Sequence, residues 1–365
     1  MVHFMSYETT GSRVIVQRFE SFHPRPLQDA EVDDSWPLTG SHRPTLRFAD
    51  DNQSISDVCC DRHDVEDTVD HDEDVFVDPS PVAVAVGQFG QYIDAPDGRP
   101  GTFRSPSSID CARDGRLAIV DSDSGVVQIF ARNGDCLSSF PVVGARSACF
   151  IADAARGDSL AVVTNNGVSI CDETGRVDKH LPVGADIVAV AALRHGGGVF
   201  VAAHRNRLTI CDRYQPSALL RSLGTVRPFS APIGHPGTQF GHIVALATTA
   251  TPRVYVVDAA AVLAVDIDSG TLLQTVPAAE TRLLRQPSAV AVDLVTGGVF
   301  VLDATTRRVL QFEADGGRYR CVAALPDDGS KCVALAAGPR GPGGHQIVYL
   351  VCCGYGSAQV HMYQI

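Results

Sequence analysis

The stretch GTFRSPSSIDCARDGRLAIVDSDSGVVQIFARNGDCLSSF, residues 101–140, decides the fold. A turn at Ser105-Pro106 leads into the short apolar run 109–112. Asp114-Gly115 then turns the chain into a second run, 117–120, closed by Asp121. After a polar turn comes the alternating segment 126–130, and Asn133-Gly134 turns the chain into 137–140. Four short strands joined by turns in which Gly, Asn and Asp accept positive φ describe one antiparallel four-stranded sheet. Such a sheet cannot bury both faces alone, so it predicts further copies of itself.

The copies are present. Leu117-Ala118-Ile119-Val120-Asp121 recurs as Leu160-Ala161-Val162-Val163-Thr164 and as Val199-Phe200-Val201-Ala202-Ala203. It returns as Val254-Tyr255-Val256-Val257-Asp258, Val299-Phe300-Val301-Leu302-Asp303 and Val348-Tyr349-Leu350-Val351-Cys352. The spacings of about 43, 39, 55, 45 and 49 residues are those of a four-stranded propeller blade. The following strand repeats as well, in Gln128-Ile129-Phe130, Ser169-Ile170-Cys171, Thr209-Ile210-Cys211 and Leu310-Gln311-Phe312. Six units predict an all-β, six-bladed β-propeller.

PSSIDCARDGRLAIVDSDSGVVQIF (106–130) and QPSAVAVDLVTGGVFVLDATTRRVLQF (286–312) resemble the NHL repeat: a Pro-led apolar strand, a turn Gly, an apolar strand ending in Asp, then an Arg-Val-Gln-apolar-Phe-like strand. The similarity runs over about residues 82–365, clearest in the first and fifth units, whereas Thr164, Ala203 and Cys352 replace the closing Asp elsewhere. The resemblance implies an NHL/TolB-like six-bladed ring, similar to the C-terminal domain of tripartite-motif NHL proteins. Known members bind RNA or protein partners.

Charge divides the chain. Residues 1–80 hold 6 Arg and no Lys against 18 Asp and Glu, while 81–365 hold 24 basic and 24 acidic groups and are neutral. The acidic segment has too little apolar surface to offset its ordering entropy, so 1–78 is expected to be a disordered tail and 79–365 the propeller. The tail lacks zinc-ligand spacing, so no RING or B-box is expected in it, and ubiquitin-ligase chemistry would require another chain. No apolar leader or membrane-length run occurs. The 11 cysteines, mostly inside expected strands, read as buried thiols of a reducing compartment, with Cys59-Cys60 and Cys352-Cys353 incidental. A cytoplasmic monomer is expected.

Because the last unit stops after its third strand, 82–89 is expected to supply the missing outer strand and remove two sheet edges. The segment Gly237-Thr238-Gln239-Phe240 echoes Gly101-Thr102-Phe103, and the Pro-rich stretch 222–241 before the fourth unit is a candidate contact loop.

Other six-bladed propellers, the lactonases and amidating lyases, hold a metal in the central channel and need converging His, Asp, Asn or Glu there. Here the histidines share no blade position. The strand-ending Asp121, Asp258 and Asp303 read as acceptors of turn N–H groups. No nucleophile context appears either, so no catalytic residue, metal ligand or cofactor is assigned.

Binding is the alternative. The turns after second and fourth strands share one face, and that face receives Arg104, Arg146, Arg205, Asn206, Arg207, Arg282, Arg285, Arg307 and Arg308, with Tyr355 placed to stack a base. The opposite face has arginines too, but with aspartates beside them. A locally basic rim on a neutral domain fits a phosphate backbone, which Arg contacts bidentately and whose bases it stacks on. Two partners follow: RNA, single-stranded or stem-loop, in post-transcriptional regulation; or acidic protein segments, with the domain a scaffold or the substrate-recognition part of a ubiquitin-ligase system. Overall neutrality favours the second and the arginine distribution the first.

Overall fold

The computed structural model describes residues 82–365 except 95–98, 153–156, 185, 194–196, 215–218, 224, 227–238, 259–260, 278–283, 315–317, 326–328, 342 and 355, together with 8–10 and 13–15. The chain forms two compact units, Met1–Asp70 and His71–Ile365. In the first, Glu8–Thr10 pairs antiparallel with Arg13–Ile15. The remainder of the expected acidic tail lies outside the described residues.

The second unit is a ring of six four-stranded antiparallel sheets. Blade one comprises Pro106–Cys111, Leu117–Asp121, Val126–Phe130 and Cys136–Pro141. Blade two runs from Ser147–Ile151 to Val177–Leu181, blade three from Ile187–Ala192 to Leu219–Leu223, and blade four from Ile243–Thr248 to Leu272–Pro277. Blade five runs from Pro287–Val292 to Tyr319–Ala324. Blade six takes Lys331–Ala337, Ile347–Gly354 and Ser357–Gln364 from the C-terminal end, and Val84–Phe89 completes it as the outer strand.

Burial explains the strand patterns. Second strands are apolar at almost every position, and in blades one, two and five every residue of them is buried. They lie between two neighbouring sheets, so both faces demand apolar side chains. First strands alternate, because one face lines the channel. Outer strands carry polar residues, as in the exposed Val177-Asp178 and His180 of blade two.

The core is six clusters, each shared by two blades. Val120 and Ile129 of blade one pack with Phe150 and Leu160 of blade two, and the remaining seams repeat the arrangement. Leu117 and Phe130 of blade one pack with Tyr349 and Val360 of blade six, so an apolar seam also closes the ring. Each fully buried Phe or Leu contributes roughly 2–3 kcal/mol relative to exposure. The Phe89 ring lies 4.9 Å from that of Phe130, anchoring the closing strand to blade one.

Two short parallel pairs precede their blades in the same way: Gln91–Tyr92 with Thr102–Phe103, and Thr225–Val226 with Gln239–Phe240. Phe103 and Phe240 are fully buried behind them. In blade one Gln128 fastens this lead-in segment, accepting from Gly101 N at 2.7 Å and donating to Thr102 O at 2.6 Å.

The cysteines correct the expectation of free thiols throughout. Cys111, Cys149, Cys171, Cys211 and Cys321 are buried thiols outside any disulfide, with burial pushing Cys171 and Cys211 up to about 12. Cys332 and Cys352, by contrast, are disulfide-bonded. A bulge at Val333 shifts the register of the first strand and sets Cys332 directly opposite Cys352. Spacing in the sequence does not reveal that pairing.

Candidate functional site

Register assigns every turn to one of two rims. The start of each first strand faces the end of its second strand, as Pro106 faces Asp121 and Pro287 faces Asp303. The connection into a blade and its second turn therefore share a rim, called the upper rim here. First and third turns form the lower rim.

On the upper rim, the strand-ending carboxylates latch each blade's incoming segment. Asp121 accepts from Arg104 N at 2.6 Å and Ser105 N at 2.9 Å. Asp258 accepts from Gly241 N at 2.6 Å and His242 N at 3.2 Å. Asp303 accepts from the amides of Arg285 and Gln286, and from Thr306 N at 2.7 Å. Most of these donors come from the connection ahead of the first strand rather than from the following turn, and all three carboxylates are buried. Such charge-assisted bonds satisfy amides that would otherwise be orphaned at the blade's edge.

The other blades solve the same problem differently. In blade three the register puts His204, not Ala203, opposite Ile187, because Phe200 rather than Val199 takes the place of Leu117 and the strand runs one residue further. The buried His204 Nδ1 meets Asp186 Oδ1 at 2.7 Å. Burial of Asp186 opposes its ionisation, but the hydrogen bond and charge of His204 prevail and lower its pKa. Blade six places the Cys332–Cys352 disulfide at the equivalent pair. In blade two Thr164 donates to Gly167 O within its own hairpin.

The arginines assigned to this rim differ in what they do. Arg104, Arg205 and Arg285 are exposed, and among the described residues no carboxylate pairs with their side chains. Arg146 is also exposed and donates to Asn165 Oδ1 at 2.8 Å. Arg207 lies 3.8 Å from Asp186, with the half-buried Asn206 between it and Arg205. Arg308 is half-buried in its strand. Arg307 points its guanidinium at the Ser330 carbonyl of the next blade's incoming segment. It is also the one non-glycine residue with positive φ among the described residues, at 53°, in the place of blade one's Gly125. Arg205–Arg207 and Arg307–Arg308 belong to blades three and five, with blade four between them, so the fold does not merge them into one cluster. Arg282, Tyr355 and residues 227–238 of the long loop lie outside the described residues.

The lower rim uses its cations. Arg116 binds Asp114 within its turn, then Asp158 at 2.8 Å and Glu173 in blade two, and lies over the Phe150 ring at 5.7 Å. Lys179 of blade two reaches Arg213 O of blade three at 3.2 Å. Arg221 of blade three donates to carbonyls of the Asp268-Ser269 turn of blade four. Arg253 of blade four reaches Ala314 O of blade five at 3.3 Å. Arg340 of blade six binds Asp293 of blade five at 2.5 Å, and Arg132 of blade one donates to Pro339 O of blade six at 3.2 Å. A basic side chain thus crosses each seam of the ring. The sequence reading missed these fasteners because each partner lies a whole blade away.

The channel between the first strands holds a cavity of about 140 Å³ lined mainly by Ala, Val and Ser. Its polar groups close the seam between blades one and two: Ser107 Oγ donates to Arg146 O at 2.8 Å, and Asp110 Oδ2 accepts from Phe150 N at 2.8 Å. Among the described residues no three His, Cys, Asp or Glu side chains converge as metal ligands. None of their helices is long and apolar enough to cross a membrane.

No family model matches the chain, and no curated protein sequence does. Among solved structures, the β-propeller domain of Myceliophteria thermophila Cps50 (Swd1) is similar at a TM-score of 0.49 and 12% identity, covering 72% of this chain and 98% of that one.

Proposed function

We propose that this propeller is a non-catalytic, NHL-type binding module that receives a polyanion on its upper rim, with RNA the ligand, in post-transcriptional regulation. One observation carries the reading. Arg104, Arg205 and Arg285 are exposed and unpaired with carboxylates among the described residues, on a rim whose strand-ending Asp121, Asp258 and Asp303 are buried against backbone amides and whose Asp186 is turned to His204 and Arg207. Buried and hydrogen-bonded, those carboxylates do not fold over the guanidinium groups, which keep their planar donor edges for phosphate and their faces for bases. A ring of separated cations suits an extended backbone better than a compact ligand.

The second reading is a cytoplasmic, monomeric scaffold gripping acidic protein segments, on its own or as the substrate-recognition part of a ubiquitin-ligase system. Neutrality of residues 81–365 favours it. Ultraviolet crosslinking of the intact protein in cell extract separates the two. Recovery of RNA on peptides carrying Arg104, Arg205 or Arg285 supports the first reading. Capture of acidic proteins without RNA replaces it with the second.

A further inference from the structure

Five of the six blades tie the segment that enters the first strand to the end of the second through the side chain of the second strand's closing residue. In four of them the tie is ionic or charge-assisted, and a change in redox conditions leaves it untouched. Blade six alone does it covalently, with Cys332 in the place of Pro106 and Cys352 in the place of Asp121. We propose that the Cys332–Cys352 pair is a redox-responsive latch, opened and re-formed by a small dithiol, that sets the order of blade six's upper edge.

Accessibility gives the direction of attack. Cys332 is partly exposed and Cys352 is buried, so an incoming thiolate reaches the Cys332 sulfur. It forms a mixed disulfide there, and Cys352 leaves and takes up a proton. The reductant's second thiol then attacks the mixed disulfide, and Cys332 leaves and is protonated in turn. The cystine gains two electrons and two protons while the dithiol becomes a disulfide. Cys353 does not substitute for the external thiol. Successive strand residues point to opposite faces, and burial pushes its thiol up, away from the reactive thiolate.

The consequence reaches the neighbouring blade. Ser330, just ahead of Cys332, offers its carbonyl to the Arg307 guanidinium. Ser330 also backs onto Gly354, where an added Cβ would stand 3.0 Å from the Ser330 Cα. With the cystine open, the incoming segment is no longer fixed to the second strand, and the contact between blades five and six loosens. This holds whatever the rim binds.

The test uses the full chain equilibrated in glutathione buffers from oxidising to strongly reducing, with alkylation and peptide mapping to read the Cys332–Cys352 bond. Dithiothreitol supplies the fully reduced form. We expect the bond to titrate within that range and the thermal midpoint to fall by roughly 5 °C on reduction. Amide exchange should quicken in Lys331–Ala337 and not in blade one. The combined variant Cys332→Pro and Cys352→Asp, which rebuilds the blade-one latch, should lose all response to dithiothreitol. If that variant does not fold, Cys332→Ser with Cys352→Ser should match the reduced parent in midpoint and exchange. A bond that stays closed in the most reducing buffer, both sulfurs alkylated before any reductant is added, or reduction that leaves the midpoint unmoved would overturn the proposal.

Discussion

The two rims are built from the same residue types and use them in opposite ways. On the lower rim, cations are structural: Arg116 is held by three carboxylates and Arg340 by the buried Asp293. On the upper rim, the strand-ending carboxylates are structural because backbone amides take them, and Arg104, Arg205 and Arg285 are left without a carboxylate among the described residues. Net charge cannot distinguish the rims, since the domain is neutral as a whole. What separates them is the partner of each charge, and therefore which charges solvent and ligand can reach.

The largest expected effect tests the lower rim. Arg340→Ala leaves the Asp293 carboxylate, 2% exposed, without its counter-charge and should cost on the order of 3 kcal/mol in urea denaturation. Arg285→Ala on the upper rim should stay within about 0.5 kcal/mol. Equal losses from the two would erase the distinction drawn here.

Next comes a carboxylate on the upper rim. Asp121→Ala removes the acceptor of Arg104 N and Ser105 N and should cost on the order of 2 kcal/mol, whereas Arg104→Ala should cost little. Finding Arg104→Ala the more damaging would make that arginine structural.

Acid provides a further separation. Burial of Asp293 raises its pKa, but the hydrogen bonds and charge of Arg340, with Thr296 and Val295 N, outweigh this and leave it below its ordinary 3.8. The folded state then binds fewer protons than the unfolded one in this window. The pair's stabilisation is present above pH 3.8 and is lost as pH falls through the lower folded value. Urea midpoints measured between about pH 5 and about pH 2 should therefore fall less steeply in Arg340→Gln than in the parent. An unchanged slope would show that the ion pair does not set the acid response.

The smallest effect concerns Arg307, whose φ of 53° belongs to a glycine-type position. Arg307→Gly and Arg307→Ala both lose the Ser330 contact, but only the Ala variant keeps the backbone penalty. The Gly variant should be the more stable of the two by about 1 kcal/mol. Identical stabilities would mean that the turn relaxes at no cost.

The blades were legible in the sequence because each strand is bracketed by turn residues whose chemistry is local. Gly115, Gly125 and Gly134 have positive φ, as their turns in blade one require. What stayed hidden depends on distant or displaced partners. Asp121 bonds amides of the incoming segment sixteen and seventeen residues upstream. His204 was passed over for Ala203 because Phe200, not Val199, stands in the place of Leu117, and the Cys332–Cys352 bond shows only once the bulge at Val333 sets the two residues opposite each other. Arg307 reads as a surface cation until its backbone and the Ser330 carbonyl are in view. The lower-rim fasteners cross from one blade to the next, a separation that no spacing rule encodes.

The division of labour between the rims is tested most directly by RNA affinity under charge reversal on each rim in turn. The binding of a fluorescent single-stranded RNA would be measured against salt for the parent, for Arg104→Glu with Arg205→Glu and Arg285→Glu, and for Arg113→Glu with Arg176→Glu. Each phosphate neutralised by an arginine releases a counterion, so the parent should weaken by roughly 10³-fold or more from low to physiological salt. The upper-rim variant should lose binding and most of that salt dependence while melting as the parent does. The lower-rim variant should bind as the parent does. Equal binding by the two variants, or none by the parent at low salt, would contradict the account.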